Sequence, residues 1–146
     1  MLPEKKEKAK LKMVKVVLDT NILVSSLLAT GSLATVIDLV ANSRIIPYYN
    51  DSIFQEYWDV LSREKFGFNS LHITRLIHDI ARSGIAVEYK QPSKQKMIDE
   101  DDRVFYDIAL EAQAYLITGN VRHFPPDLFI VTPSRFLTIF LRNTTE

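Results

Sequence analysis

Val16-Val17-Leu18-Asp19-Thr20-Asn21 is a short, mostly β-branched apolar run that stops on an aspartate. With Val14 and Lys15 ahead of it, it reads as a buried strand from Val14 to Leu18. An acid after a strand is often only a turn residue or a helix cap. Residues later in the chain give this one weight. Glu56 lies in a helical pattern, Asp101-Asp102 opens another, and Thr118-Gly119-Asn120 closes a further apolar run. Oxygen ligands gathered at element ends suit a hard cation such as Mg²⁺ or Mn²⁺.

Outward from that run, the periodicity alternates. An apolar turn of helix is expected over Ser25 to Leu28. Ser32 is a candidate cap for a helix from Leu33 to Ala41, with Leu33, Val36, Ile37 and Val40 on one face. Arg44 to Tyr49 reads as a second strand, and Pro47 marks it as an edge strand or a strand end. Ser52 with Gln55 predicts a capping box for a helix to Arg63, with Ile53, Tyr57, Val60 and Leu61 inward. Asn69 or Ser70 starts a helix to Ser83, stopped by Gly84, with Leu71, Leu76, Ile77 and Ile80 as apolar positions. Ile85 to Tyr89 is a third strand candidate, and Gln91 to Asp99 reads as a loop. The next helix runs from Asp102 to Ala114, with Phe105, Ile108, Ala109 and Ala112 inward. Tyr115 to Thr118 and Phe129 to Val131 are the last strands, and Thr132-Pro133 opens a final helix.

Strands alternating with helices predict an α/β fold with a mostly parallel sheet of about four to five strands and helices on both faces. In such sheets ligands bind beyond the carboxyl ends of the strands. Asp19 and Asn120 share that edge closely if the first and fourth strands are neighbours.

The 146 residues, 47% hydrophobic and 25% charged, fit a globular chain large enough to bury a core. There is no cysteine, which excludes disulfides, thiol nucleophiles and thiolate zinc sites. Net charge is zero but uneven. Residues 1–12 carry five lysines against two glutamates, a net +3 that leaves −3 for the rest. They are expected to form a basic flexible arm, ahead of one domain over residues 13–146. No run is long and apolar enough to span a bilayer and no secretory leader is evident, so no membrane association and a cytoplasmic location are expected.

Asp19 is the first candidate ligand, with Asn21 as a second oxygen or a water-positioning amide. Asp99-Glu100-Asp101-Asp102 is the densest charge run; its mutual repulsion would be relieved by a divalent cation, and Asp102 is the member assigned to the metal. Asp107, one and a half turns further, is expected to point elsewhere. Thr118 ends a strand, Gly119 permits close backbone approach, and Asn120 offers a neutral oxygen. Arg122 and His123 are candidate phosphate ligands, with Arg63, Lys65 and Arg103 as weaker ones. Carboxylates without a serine or cysteine nucleophile, a P-loop or GxGxxG point to phosphodiester hydrolysis by activated water.

Val17-Leu18-Asp19-Thr20-Asn21-Ile22-Leu23 resembles the opening motif of PIN-domain proteins. Asp101-Asp102-Arg103-Val104-Phe105, then Tyr115 to Asn120 and His123-Phe124-Pro125, resembles the branch described as toxin components of toxin–antitoxin pairs. The resemblance implies a PIN-like three-layer sandwich, a Mg²⁺ or Mn²⁺ site and endoribonuclease activity on single-stranded RNA. It also implies a homodimer and a small antitoxin partner. It matches Asp19, Glu56 and Asp102 to the family's three core acids, with Asn120 where a fourth acid often stands. Asn120 removes one carboxylate and argues against two metal ions. The alternative is a nucleic-acid or protein binding module of the same fold with a weakened metal site. An aspartyl-phosphate enzyme is disfavoured, since Asn21 stands where that chemistry wants a second acid.

Overall fold

A computed structural model describes residues 13–28 and 32–144. The predicted basic arm lies outside them, as do the side chains of Ser32 and Leu33. The elements are β1 (Lys15–Leu18), α1 (Thr20–Leu28), α2 (Ser32–Ala41), β2 (Ile46–Tyr49), α3 (Asp51–Leu61), α4 (Ser70–Ser83) and β3 (Ile85–Ala86). They continue with α5 (Arg103–Ala112), β4 (Tyr115–Ile117), β5 (Ile130–Val131) and α6 (Pro133–Thr144). Short 3₁₀ turns cover Glu64–Phe66, Glu100–Asp102 and Val121–His123.

The five strands form one sheet in the order β3-β2-β1-β4-β5, and every pairing is parallel. Val16, Val17, Leu18, Leu116 and Ile117 are fully buried, as expected of central parallel strands covered on both faces. Helix α5 packs across β1, β2 and β4, while α2, α4 and α6 pack together on the other face. Tyr57, Phe105 and Phe136 are the largest wholly buried side chains. Each removes enough apolar surface from water to contribute about 1.5–3 kcal/mol. The chain steps from β1 to β2 to β3, then returns past β1 to β4 and β5, so the direction reverses between β1 and β4. That is where an open parallel sheet leaves a crevice.

Several expectations need correction. Helix α1 starts at Thr20, immediately after Asp19, and not at Ser25. The cap of α3 is Asn50, whose Oδ1 accepts from the Ile53 amide at 2.8 Å, while Gln55 bonds Asp59 and completes no box. Strand β2 is interior, so Pro47 does not mark a sheet edge. The Ile46 amide donates to Val14 O, so the next residue faces β3, whose pairing begins only at Tyr48. The missing N–H of Pro47 therefore falls just before the β3 ladder. Leu71 is 74% exposed, and Ile73 is the buried residue of that turn. Gly84 is required by space: a Cβ there would lie 2.3 Å from Pro47 O and 2.7 Å from Ile80 O.

Candidate functional site

Asp19 remains on the sheet ladder, its amide donating to Ile117 O at 3.0 Å. The chain then turns directly into α1, with Ile22 N bonding back to Asp19 O at 2.9 Å. The carboxylate is almost buried, and its Oδ2 accepts from Thr118 Oγ1 at 2.7 Å and Asn21 Nδ2 at 3.0 Å. Asn21 in turn accepts from the Gly119 amide at 3.0 Å, and Thr118 Oγ1 accepts from the Asn120 amide at 3.0 Å. The ends of β1 and β4 are thus stitched together by side chains from both. A Cβ at Gly119 would make only an ordinary contact, 3.6 Å from Asn21 Oδ1, so close approach does not require glycine there.

Helix α3 brings in Glu56, whose Oε2 accepts from Thr20 Oγ1. The Tyr57 hydroxyl, buried below, donates to Leu18 O at 2.6 Å and ties α3 to β1. Asp102 arrives at the start of α5 but makes no capping bond. Asp99 caps the preceding 3₁₀ turn, Glu100–Asp102, accepting from the Asp101 amide at 3.0 Å. Asp102 is left half-exposed and Asp101 exposed.

These acids sense one another's charge. Burial pushes the Asp102 carboxyl up to about 7, with help from the charges of Asp19, Asp99 and Glu56. Burial raises Asp19 too, against hydrogen bonds from Thr118, the Thr20 backbone and Asn21. Glu56 is raised by burial, opposed by its Thr20 bond and reinforced by Asp19 and Asp101. His123 is near enough for its charge to lower both Asp19 and Asp102. Among the described residues no Lys, Arg or His is ion-paired with Asp19, Glu56 or Asp102.

The donor set is hard oxygen, which fits Mg²⁺ or Mn²⁺ chemically. The distances are less favourable. Among the described residues no group of three or more His, Cys, Asp or Glu side chains is close enough to hold a metal ion. The two findings agree once reach is considered, because charges interact over roughly a Debye length of 10 Å whereas ligands must converge within about 2 Å. Thr20 also occupies one Glu56 oxygen, and Asn21 and Thr118 occupy one of Asp19.

Asn120, Arg122 and His123 are exposed on the turn beyond β4. Arg103 is not available to phosphate. It grips Glu100 in a two-pronged pair at 2.7 and 2.8 Å and donates to Ser93 O at 2.6 Å.

Asp107 is a residue whose role the sequence did not reveal. It is buried, and its Oδ2 accepts from Tyr89 Oη at 2.6 Å and Ser93 N at 2.8 Å. With Arg103 it straps the β3–α5 connection onto α5. The available signal was an acid flanked by the buried run Phe105, Tyr106, Ile108 and Ala109. No helix of the described residues is long and apolar enough to cross a membrane.

Residues 15–122 match the family model described as PIN domain. The chain is 33% identical over 122 residues to the uncharacterized protein MJ1680 of Methanocaldococcus jannaschii, covering 80% of this chain and 76% of that protein. No solved structure matches the chain. A family match across most of the chain joins an all-parallel sheet carrying Asp19 and Thr118 at its switch point: the chain belongs to the PIN-domain family.

Proposed function

We propose that this PIN domain is a nucleic-acid binding module that engages single-stranded RNA along the carboxyl edge of its sheet, with a weakened site for one Mg²⁺ or Mn²⁺ ion. The carrying observation is that, among the described residues, no carboxylate lies in a group of three able to hold an ion. Asn120, at the place of the family's fourth acid, weakens the site further. The exposed Arg122 and His123 supply cationic contacts for phosphate beside it.

A second reading is a metal-dependent endoribonuclease, and one observation favours it. Asp19, Glu56 and Asp102 repel one another without an ion-paired cation among the described residues, a load that a divalent ion relieves. In that reading Asp19, Glu56 and Asp102 hold the ion, and Asn120 and Asn21 orient water or phosphate. Thr118 fixes Asp19, Asp101 adds field, and Arg122 and His123 bind the substrate strand. A bound ion would acidify a water molecule and neutralise charge developing on phosphate. A toxin role, with a homodimer and a small antitoxin, belongs to this reading alone.

The test is incubation of the full chain with single-stranded RNA in Mn²⁺ and in EDTA, comparing Asp19→Asn. Binding without cleavage, preserved in the variant, is the expected result. Metal-dependent cleavage that vanishes in Asp19→Asn overturns the module reading in favour of the nuclease.

A further inference from the structure

We infer that the stacked rings of Phe66 and Phe68, flanked by Arg63 and Lys65, form a subsite that stacks a base of single-stranded RNA next to the acidic edge. The subsite rests on the proposed RNA-binding function. Beyond α3 the chain runs through the 3₁₀ turn Glu64–Phe66 to Gly67, which adopts the left-handed conformation at φ 61°. That conformation reverses the chain and brings the two rings face to face, with centroids 5.1 Å apart and planes 5° from parallel. The two rings have different backing. Phe68 packs against the core, whereas Phe66 is not among the residues packed there and rests on Phe68, half-exposed. The Lys65 ammonium lies 5.1 Å from the Phe66 centroid.

A half-exposed ring stacked on one that packs against the core is a π-surface, and cations on flexible stems beside it suit the phosphates of a stacked nucleotide. Glu64 lies between the cations and leaves the trio at net +1. The position also fits. Arg63 lies two residues beyond the end of α3, the helix that carries Glu56, and is extended at the head of the 3₁₀ turn. In chain order Arg63 stands between Glu56 and Phe66, a cation for the phosphates of a strand that runs from one to the other. A ring pair that merely staples the α3–α4 connection needs neither cation nor an exposed outer ring.

The test uses the full chain in EDTA and anisotropy of labelled oligouridylate and of an abasic oligomer of equal length. Phe66→Ala should weaken oligouridylate binding on the order of 10-fold, and Phe66→Trp should restore it. Lys65→Ala should lower the salt dependence by about one released ion. The unsubstituted chain should bind the abasic oligomer more weakly than oligouridylate, a comparison that does not depend on any variant folding. Equal affinity for the two oligomers, or equal binding by Phe66→Ala, overturns the subsite while leaving the RNA reading intact. If the unsubstituted chain binds neither oligomer, the RNA reading and the subsite fall together. A smaller sedimenting mass for Phe66→Ala assigns the rings to a protein contact and overturns the subsite.

Discussion

Asp19 and Asp102 reach the same acidic edge by opposite constructions. Asp19 sits where two central parallel strands end, with its own amide on the β4 ladder and its carboxylate held by Thr118 and Asn21. Asp102 ends a crossover of more than a dozen residues without regular structure, held to α5 by Asp107 and Arg103. One acid is fixed by the sheet; the other stands at the head of a helix, where a strapped crossover joins it. The acidic edge so built has one half on the sheet and the other at the junction of a crossover and a helix. The lesson is that a carboxylate need not be a ligand to matter: Asp107 holds the crossover that leads to Asp102.

The contrast can be broken in order of expected effect. Asp107→Ala removes two hydrogen bonds to a buried charged acceptor and should cost about 3 kcal/mol in urea unfolding. Amide exchange should quicken in residues 87–99 while β1 and β4 keep their protection; uniform acceleration would show that the strap is not separate from the sheet. Thr118→Val should cost about 2 kcal/mol, because it strips a donor from Asp19 and leaves the Asn120 amide unpaired. Here exchange should quicken at 118–121 and not in the crossover. Asn50→Ala should cost about 1 kcal/mol and Ser52→Ala almost nothing; the reverse order would restore the capping box that the structure replaces.

The smallest effect is in pH. In metal-free protein the folded state keeps a proton on Asp102 that the unfolded chain releases near its ordinary value of 3.8. More protons bound when folded means that stability falls as pH rises, from about 4 until the folded carboxyl has ionised near about 7, and levels above that. Half-exposure and solvent screening keep the change modest. Urea midpoints at pH 5 and pH 8 should differ more for the unsubstituted chain than for Asp102→Asn, and equal differences would show that Asp102 is not the group that titrates.

Much of the fold was legible because apolar periodicity and burial agree: β1 and the inner faces of α3 and α5 follow from it directly. The failures share a cause. Thr20 and Asn21 are poor helix formers, so Asp-Thr-Asn reads as a turn, yet Glu56 and Gly119 hold that segment from across the fold and α1 begins at once. Asn50 and Ser52 are both good caps, and local sequence does not choose between them. Pro47 was misleading because a parallel strand presents alternate residues to each neighbour, so one absent donor is harmless where β3 has not begun. Alternation of strands and helices put Asp19 and Asn120 at one edge of the sheet, as the β1–β4 pairing has it, but spacing along a chain carries no distance between carboxylates. Nor could it reveal the buried use of Asp107, whose partners Tyr89 and Ser93 lie in a loop without pattern.

Gly84 has a consequence for how the molecule behaves among its own copies. By letting the chain pass against the Pro47 carbonyl, it allows a strand of two residues to lie along β2. Without β3, β2 would show the Tyr48–Tyr49 backbone to solvent as an open edge, ready to pair with another chain. A single methyl group at position 84 would therefore appear first as aggregation during expression and only second as a lowered melting temperature.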